Sequence, residues 1–281
     1  MSHYLVIPEI EVRNANAQPA WWIIGPPPIT AYMGFAHAFG LHLQALPNGI
    51  AILHHDIQFL GETIGGSFRP NQFRSASFID DQDYNSKNPS VLSSQPTARC
   101  HVSVSLVLRF SEDCVLSERT ATSFLRGRRL AGGDIVRYGK PFLLAEQNDP
   151  EAVRQFVHRN IRRSLWSLVD RSDLMIPVEG DRDPLDTLLR VTRRFESPKA
   201  PQSGSIEAPS DDDRAWLTPT TLGYAEISER KHRRNVREGL LHAYAEPLVG
   251  LVQYKPLRHS GLKFWSSTSP MPGVYLASAS H

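Results

Sequence analysis

The chain has 281 residues, 41% of them hydrophobic, and a formal net charge of +2 at pH 7. It is long enough to bury the core of one large domain or two small ones, and no apolar run reaches the roughly 18 residues that a membrane-spanning helix needs. The N-terminus lacks the basic and apolar segments of a secretory signal, and two cysteines cannot supply a disulfide framework. We therefore expect a cytoplasmic protein with no membrane partner, metal or cofactor.

Arginine dominates the basic residues: of 31 lysines and arginines, six are lysine and 25 are arginine. The planar guanidinium grips phosphate oxygens and stacks on bases, whereas the lysine ammonium is a point charge. A GC-rich genome, whose codons favour arginine, would produce the same excess. The composition therefore permits nucleic-acid binding without requiring it.

The first 60 residues predict a strand, a helix and a second strand. Residues 4–12 alternate between apolar and polar side chains, and Pro8 within them indicates an edge strand or a bulge. Three consecutive prolines then break regular structure, and a helix with many small residues begins near Ile29. Residues 49–59 predict the next strand.

Residues 64–98 are polar and have no clear period, so they predict an extended loop or long hairpin that projects from the body. Aromatic and cationic side chains alternate within them, at Phe68-Arg69, Phe73-Arg74, Phe78 and Lys87. Such interleaving suits stacking on unpaired bases with the phosphates neutralised nearby. Packing of these aromatic side chains against the body is an equally good alternative.

Residues 101–110 alternate cleanly and predict a strand, and residues 116–126 predict a second helix. The order strand, helix, strand, strand, helix is that of a ferredoxin-like, RNA-recognition-type fold, which is an α+β fold with an antiparallel sheet. We assign residues 1–145 to this domain.

The rest of the chain divides into three parts. Residues 150–199 predict a helical insertion, because 150–165 and 183–195 both read as helices with an arginine-rich face. Residues 200–213 are rich in Pro, Ser and Asp and predict a flexible linker. Residues 214–281 should return to the main sheet.

Basic residues cluster at three places in this second half. The two predicted helices carry Arg159, Arg162 and Arg163, and Arg190, Arg193 and Arg194. A denser run contains Arg230, Lys231, His232, Arg233, Arg234 and Arg237. Six basic residues within eight positions repel one another unless an anion balances them, so this run predicts contact with nucleic acid or an acidic protein surface. For the helices, a solvated charged face is an equally good alternative.

Arg13-Asn14-Ala15-Asn16 ends the first strand with three side chains that can donate hydrogen bonds. They predict contacts to the sugar-phosphate path of an RNA end. A structural turn is the alternative, because asparagine tolerates turn conformations and bonds to its own backbone. His37 on the first helix lies near this path, although a packed histidine is more common there than a general base.

Residues 126–133 read Arg-Gly-Arg-Arg-Leu-Ala-Gly-Gly. Gly132 and Gly133 would let backbone approach backbone, and exposed amides there can cradle a phosphate. Arg126, Arg128 and Arg129 supply the counter-charge. The spacing is neither that of a P-loop nor that of a dinucleotide-binding fingerprint. A helix end closed by glycine, with a solvated charged face, is the alternative.

Catalytic signatures are weak. His54 and His55 share one predicted strand, where neighbouring side chains point to opposite faces and cannot chelate one ion. The acidic residues of 80–83 and 211–213 lie in polar loops, and neither Gly-x-Ser-x-Gly nor His-Glu-x-x-His occurs. We therefore expect that the protein is not an enzyme.

Four segments, in order, resemble the small, Cas-five-type backbone subunit of the type I-F CRISPR surveillance (Csy) complex. They are Ile7–Ala17, Gly34–Ala38, Arg129–Gly133, and Trp216–Pro219 with Gly223-Tyr224 followed by Ala245–Leu251. Each segment is short, but their shared order and spacing make the resemblance specific. Residues 140–213 match less well.

The resemblance implies a non-catalytic subunit that caps a backbone filament, binds the 5′ handle of the CRISPR RNA (crRNA) and pairs with the large subunit that reads the protospacer-adjacent motif (PAM). Through the complex it would meet target double-stranded DNA in antiviral defense. The handle contacts would fall on Arg13, Asn14, Asn16 and the 128–133 loop. Residues 68–74 would lie in a hairpin that kinks the RNA.

Two alternatives stay open within this resemblance. Related subunits of other CRISPR subtypes cut repeat RNA with a similar fold, so the chain could be a metal-independent endoribonuclease with His37 and Tyr32 as acid–base groups. In the other alternative, the complex lacks the large subunit, and this chain contacts PAM DNA itself through the basic run at 230–237.

Overall fold

The structure is a computed structural model that describes residues 2–77, 93–111, 114, 116–147, 149–192, 215–233 and 239–280. It is an α+β protein in which one large antiparallel sheet dominates and helices are few. The α+β class and the antiparallel sheet expected from the sequence are therefore confirmed. None of the helices in the described part is long and apolar enough to cross a membrane.

The elements are named here in chain order. The strands are β1 (Ser2–Asn16), β2 (Gly49–Phe59), β3 (Gly61–Ile64), β4 (Ser67–Pro70), β5 (Gln72–Ser77), β6 (Ser93–Ser111), β7 (Arg129–Leu130), β8 (Gly133–Arg137), β9 (Phe142–Gln147), β10 (Trp166–Asp170), β11 (Leu217–Glu226), β12 (Ala245–Pro256), β13 (Phe264–Thr268) and β14 (Val274–Ser280). The helices are α1 (Ile29–Leu43), α2 (Glu118–Leu125), α3 (Pro150–Asn160), α4 (Pro184–Thr192) and α5 (Leu257–Ser260), with a 3-10 helix at Ser172–Met175.

The N-terminal half of the sheet is built around β6. This long strand pairs antiparallel with β1 on one side and with β2 on the other, so β1 and β2 run parallel and α1 connects them. Strands β8 and β9 pair with the other edge of β1, and β7 pairs with β8. The register of β1 against β6 shifts between Ile7 and Ile10, so Pro8 lies in a bulge rather than at an edge.

Both faces of this half are covered. On one face Leu5 and Ile7 of β1 pack with α1 and α2, where Phe39 and Phe124 meet edge to face at a centroid distance of 5.0 Å. On the other face Tyr4 and Val6 pack with α3 and α5. Burial on two faces explains why residues 4–7 are all apolar, whereas the alternation in β1 is confined to the residues after Pro8.

The C-terminal strands close a ring with β2. Beyond β6, the free edge of β2 pairs with β13 near Ile50 and with β10 near His54. Strands β13, β14, β11, β12 and β10 then pair successively, which returns the ladder to β2. Residues 217–226 and 245–280 thus contribute strands to the main sheet.

The range 150–199 is not helical throughout, which corrects the predicted helical insertion. It contributes β10 to the sheet, and α3 ends at Asn160, so Arg162 and Arg163 lie beyond that helix. Ile161 leaves the helix in an extended conformation and is buried, which directs the chain towards β10. The pairing partners of β10 lie on β2 and β12, far away in sequence, so tertiary pairing overrides the local pattern.

Most of the described residues in the range 64–98 belong to strands, and the others form turns or short connections between them. Strands β3 and β4 form a hairpin around Gly65-Gly66, and β5 pairs with the first part of β6. Side chains of the β3–β4 hairpin are mostly exposed, which explains why no apolar period revealed these strands. Phe78 and Lys87 lie outside the described residues, and projection of this region from the body stays a prediction.

Candidate nucleic-acid interface

The end of β1 is a bulged polar turn. Asn14 has a φ of +56°, a conformation that asparagine tolerates better than most residues, and the register against β6 shifts between Val12 and Ala15. The amide of Asn14 donates to Nδ1 of His101 at 3.2 Å, and Nη1 of Arg99 donates to the Asn14 carbonyl at 3.2 Å. The side chains of Arg13 and Asn14 are exposed beside this turn.

A two-residue hairpin packs against this turn. Ala131 and Gly132 connect β7 to β8 with φ values of +50° and +75°, the positive values that a type I′ hairpin turn requires. In the ladder Arg129 pairs with Asp134, and Asp134 pairs with Arg13, so these three side chains share one face. Nε of Arg129 lies 3.1 Å from Asp134 Oδ1. We call Arg13, Asn14, Arg99, Arg128, Arg129 and Gly132–Gly133 the edge cluster.

Gly133 is required where the hairpin meets β1. A Cβ atom there would lie 2.5 Å from the Arg13 carbonyl oxygen and 2.6 Å from the Ala15 nitrogen. The Asn16 amide donates to the Ala131 carbonyl at 2.8 Å across the same contact. Gly133 therefore lets backbone approach backbone, as the sequence predicted, whereas phosphate binding by the amides stays a prediction.

Gly127, rather than Gly132, terminates the second helix. Gly127 has a φ of +64°, and the Arg128 amide donates to the Leu125 carbonyl. The guanidinium of Arg128 then lies 4.8 Å from the centroid of the Phe124 ring, and both Arg126 and Arg128 are exposed. Within the described chain neither has an acidic partner, so the charges of Arg128 in the edge cluster and of the neighbouring Arg126 both face solvent.

Asn16 holds the loop that follows β1. Its Nδ2 donates to the Gln18 carbonyl at 3.1 Å, and its Oδ1 accepts from the Gln18 amide at 3.2 Å. This is the structural turn considered from the sequence, and an RNA contact through Asn16 would have to replace these bonds. The loop presents Trp21, which is 77% exposed, and Trp22. Sequence reasoning missed this pair, although two adjacent tryptophans before a Pro-rich segment are a visible signal.

A groove of about 790 Å³ lies between α1 and the C-terminal strands. Asn16 and Ala131 line the groove, which places it beside the edge cluster. Tyr224 of β11 and Tyr275 of β14 line it as well, and His37 of α1 is exposed on its wall. The structure thus brings His37 into the same groove as the end of β1.

Tyr32 is not among the residues that line the groove with His37. Tyr32 is fully buried, its ring lies 5.5 Å from that of His54, and burial raises its pKa well above the ordinary value. Tyr32 and His37 are five positions apart on α1, which places them on different faces of the helix. The structure therefore does not bring Tyr32 and His37 together at one site, and cleavage of RNA by this chain stays an open alternative.

The hairpin predicted to stack on bases begins next to Arg99. The Leu60 amide donates to the Arg99 carbonyl at 3.0 Å, and β3 starts one residue later. Phe68 and Arg69 of β4 are exposed. Phe73 and Arg74 belong to β5, where they pair with Thr97 and Pro96, but their side chains lie outside the described residues. Their stacking on bases stays a prediction.

Several arginines elsewhere are paired with carboxylates within the protein. Arg163 donates to Ser103 Oγ at 2.9 Å and lies 3.4 Å from Glu11 Oε1. Arg137 also pairs with Glu11, and its hydrogen bond is the main reason that the pKa of Glu11 lies below its ordinary value. Arg190 lies 2.9 Å from Asp181 and lowers the pKa of that carboxyl to about 2. We call Arg137, Arg163 and Arg190 the paired arginines.

The basic run after β11 is partly neutralised. Arg230 pairs with Glu226, and the Arg233 guanidinium lies 4.1 Å from the centroid of the Tyr244 ring. Lys231 exchanges two backbone hydrogen bonds with His242. Arg234 and Arg237 lie outside the described residues. The run begins soon after Tyr224, so it follows the groove along the chain.

Tyr224, Tyr275 and Arg99 are further residues of this surface that sequence reasoning did not single out. Nothing local marks Tyr224 and Tyr275 as partners, because only the pairing of β11 with β14 brings them together. In the described part of the chain, no group of three or more His, Cys, Asp or Glu side chains could hold a metal ion.

Comparison with known proteins agrees with the resemblance noted in the sequence. The chain matches the CRISPR-associated protein (Cas_Csy2) family over residues 5–276. It is similar to the CRISPR-associated protein Csy2 of Pseudomonas aeruginosa (strain UCBPP-PA14), with 27% identity over 319 aligned residues that cover 96% of this chain and 93% of the relative. The chain therefore belongs to the CRISPR-associated protein (Cas_Csy2) family and is a type I-F Csy subunit.

Proposed function

We propose that this protein is a non-catalytic subunit of the type I-F RNA-guided surveillance complex, and that its edge cluster binds the 5′ handle of the crRNA. One observation carries the proposal: the end of β1 and the β7–β8 hairpin, predicted separately from the sequence, meet at one edge of the sheet. There the exposed Arg13 shares a face with Arg129, next to the exposed Arg126 and Arg128. Arg13, Arg126 and Arg128 have no acidic partner among the described residues, and such guanidinium groups suit phosphate oxygens.

The fold supports this proposal. Strand β6 lies between the parallel strands β1 and β2, and β8 and β9 follow α2 and pair with the outer edge of β1. This strand order supports a ferredoxin-like, RNA-recognition-type domain. We propose that this domain comprises residues 1–145, with the later strands extending its sheet.

The partners are proposed from the family resemblance. The subunit caps one end of the filament of backbone subunits, pairs with the large subunit and thereby positions the PAM-reading end on target double-stranded DNA. The exposed Trp21 and Trp22 are candidates for contacts within this assembly, because exposed tryptophans are enriched in the centres of protein interfaces.

The experiment that tests the proposal measures binding of the full-length chain to a labelled 5′-handle RNA. The double variant Arg13→Ala with Arg128→Ala should lose about tenfold or more in affinity, because two phosphate contacts are removed. The matched control is Arg159→Ala with Arg162→Ala. These two arginines are also exposed, and their loss changes the net charge equally. Arg159 lies in the last turn of α3 and Arg162 just beyond it, and α3 packs against the other face of the sheet. Equal losses in both variants would contradict a specific edge-cluster site.

The non-catalytic part of the proposal needs its own test. Labelled repeat RNA incubated with the purified protein should remain intact with and without divalent metal. Discrete metal-independent cleavage that disappears in His37→Ala would overturn it. His37 is the variant to choose because it is exposed in the groove beside the edge cluster.

A second candidate function is direct contact with PAM DNA in a complex without the large subunit. The observation that favours it is the position of the basic run, whose described residues 230–233 are exposed or half-buried and follow the groove-lining Tyr224. A complex reconstituted without any large subunit should then bind target DNA. Failure to bind would end this alternative.

A further inference from the structure

The groove beside the edge cluster differs from it in charge. Among the described residues, none of those that line the groove is Lys, Arg, Asp or Glu. Basic groups lie beside it in the edge cluster, next to the groove-lining Asn16 and Ala131, and further along the chain in the run that begins six residues after Tyr224. A neutral groove beside a basic cluster fits single-stranded nucleic acid whose bases turn inwards while its phosphates stay outside.

Two tyrosines form the aromatic wall of this groove. Tyr224 and Tyr275 are directly opposite each other in the β11–β14 ladder, so their side chains stand next to each other on one face of the sheet. They are 41% and 39% exposed. Gly223 allows this close pairing, because a Cβ atom at that position would collide with the Tyr275 carbonyl. Burial, followed by the neighbouring Tyr224, raises the pKa of Tyr275, so its hydroxyl remains a hydrogen-bond donor at neutral pH.

The rest of the lining offers groups that hydrogen-bond to base edges. The hydroxyl oxygen of Thr30 is buried and has no hydrogen-bond partner within the described chain. Ser266, Ser267 and His37 add further donors and acceptors. The volume of about 790 Å³ lies within the range of ligand pockets, roughly 300 to 1,000 Å³.

We propose that the groove is a base-binding subsite in which Tyr224 and Tyr275 each stack on one unpaired base of the bound RNA. The inference rests on the proposed function, since it assumes that the edge cluster holds the adjoining phosphates. It adds a recognition of bases that the edge cluster cannot provide, because that cluster offers guanidinium groups and backbone amides to a phosphate chain.

The test compares two probes of equal length and charge. One is a short single-stranded RNA of mixed sequence, and the other is an abasic ribose-phosphate chain. The double variant Tyr224→Ala with Tyr275→Ala should bind the RNA about tenfold or more weakly, because stacking is lost at two bases, while its affinity for the abasic chain stays within about twofold. Tyr224→Phe with Tyr275→Phe is the matched control, which keeps both rings and should retain most of the RNA affinity.

A second variant tests the same subsite in case the tyrosine variants fail to fold. Gly34 lines the groove, and a Cβ atom there would meet nothing within 4 Å, so Gly34→Trp should narrow the groove without disturbing the core. Because glycine is a poor helix former, this change should leave the melting temperature equal or higher. It should weaken binding of the RNA and spare the abasic chain.

The outcomes separate this inference from the proposed function. If the wild-type chain binds neither probe, the proposed function itself fails. Two outcomes would overturn only the base-binding subsite, provided that the wild-type chain binds both probes. In the first, the tyrosine and Gly34 variants keep their RNA affinity within about twofold of the wild type. In the second, they lose affinity for both probes equally. A benzophenone amino acid in place of Tyr275 provides an independent readout in the assembled complex: photo-crosslinks to RNA support the subsite, and crosslinks to a protein partner instead overturn it.

Discussion

The edge cluster and the paired arginines use the same side chain for different purposes. Arg137 and Arg163 share Glu11, and Arg190 pairs with Asp181, so their charge is balanced within the protein. Arg13 and Arg128, by contrast, are exposed and have no acidic partner among the described residues. The comparison shows that an excess of arginine is uninformative until the structure separates charges that are balanced internally from charges that are available to a ligand.

The largest effect is expected from a substitution that obstructs the close contact between the β7–β8 hairpin and the end of β1. Gly133→Ala should destabilise the protein by about 3 kcal/mol and weaken RNA binding, because the new Cβ atom would meet only backbone atoms of β1, which cannot move aside. Chemical denaturation measures the change. Gly132→Ala is the matched control: its Cβ atom would meet only the tip of Arg99, so the cost should be about 1 kcal/mol from the positive φ. Equal costs at the two positions would contradict the close-approach argument.

Acid should destabilise the fold well before it breaks the paired arginines. Burial lowers the pKa of His54 to about 3, below its ordinary value of 6.5, so the unfolded chain takes up a proton that the folded chain rejects. Stability should therefore fall as the pH drops from 6.5 towards 3, by about 2 kcal/mol at pH 5. The Arg190–Asp181 pair contributes above pH 3.8 and is lost only as the pH falls towards 2.

Urea denaturation of the wild type and of His54→Leu at pH 7 and pH 5 measures this difference. In the variant the loss between the two pH values should become smaller; part of it should remain, because burial also lowers the pKa of the neighbouring His55. A wild-type stability that is equal at both values would show that His54 is not held neutral in the fold.

Within the edge cluster, the two adjacent arginines should differ. Arg128→Ala should weaken RNA binding more than Arg129→Ala, since Asp134 already offsets the charge of Arg129 at 3.1 Å. Replacing both should lower the slope of log affinity against log salt by about 1 to 2, with the fold intact. Titrations at several salt concentrations check this, and circular dichroism checks the fold. An unchanged slope would mean that this segment only terminates α2 and forms a turn.

The smallest effect on RNA binding is expected from the paired arginines. Arg190→Ala should reduce stability, because the Asp181 carboxylate, whose side chain is only 7% exposed, loses its charged partner; it should leave RNA affinity unchanged within about twofold. The same RNA titration and a thermal melt measure both quantities. A loss of RNA affinity as large as that of Arg128→Ala would remove the distinction between the two sets of arginines.

Local patterns in the sequence identified most of the N-terminal elements. The alternation of residues 4–12 and 101–110 lies within β1 and β6, and the predicted helices near Ile29 and at 116–126 correspond to α1 and α2. Such signals lie within one short window, because side chains alternate along a strand and repeat every 3.6 residues along a helix. Pro8 and the double glycine were also informative, since each restricts or frees the backbone at its own position.

The same reasoning failed where the decisive contact is distant in sequence. Strand β10 was read as part of a helical insertion, and Arg163 was placed on a helix, although it lies beyond α3 and pairs with Glu11. Tyr32 and His37 looked like equivalent neighbours until burial separated them. The sequences of strands β3 and β4 show no alternation of apolar and polar residues, because neither face of these exposed strands packs against the core.

The α+β class, the main N-terminal elements and the two segments of the edge cluster can all be predicted from local patterns in the sequence. Only the folded chain shows that these segments meet, that β11 and β14 place Tyr224 beside Tyr275, and which arginines are balanced by carboxylates. Backbone preference and amphipathic period act within a few residues, so they are visible in a short window of sequence. Strand partners and ion pairs, in contrast, are selected by the cooperative burial of the whole chain.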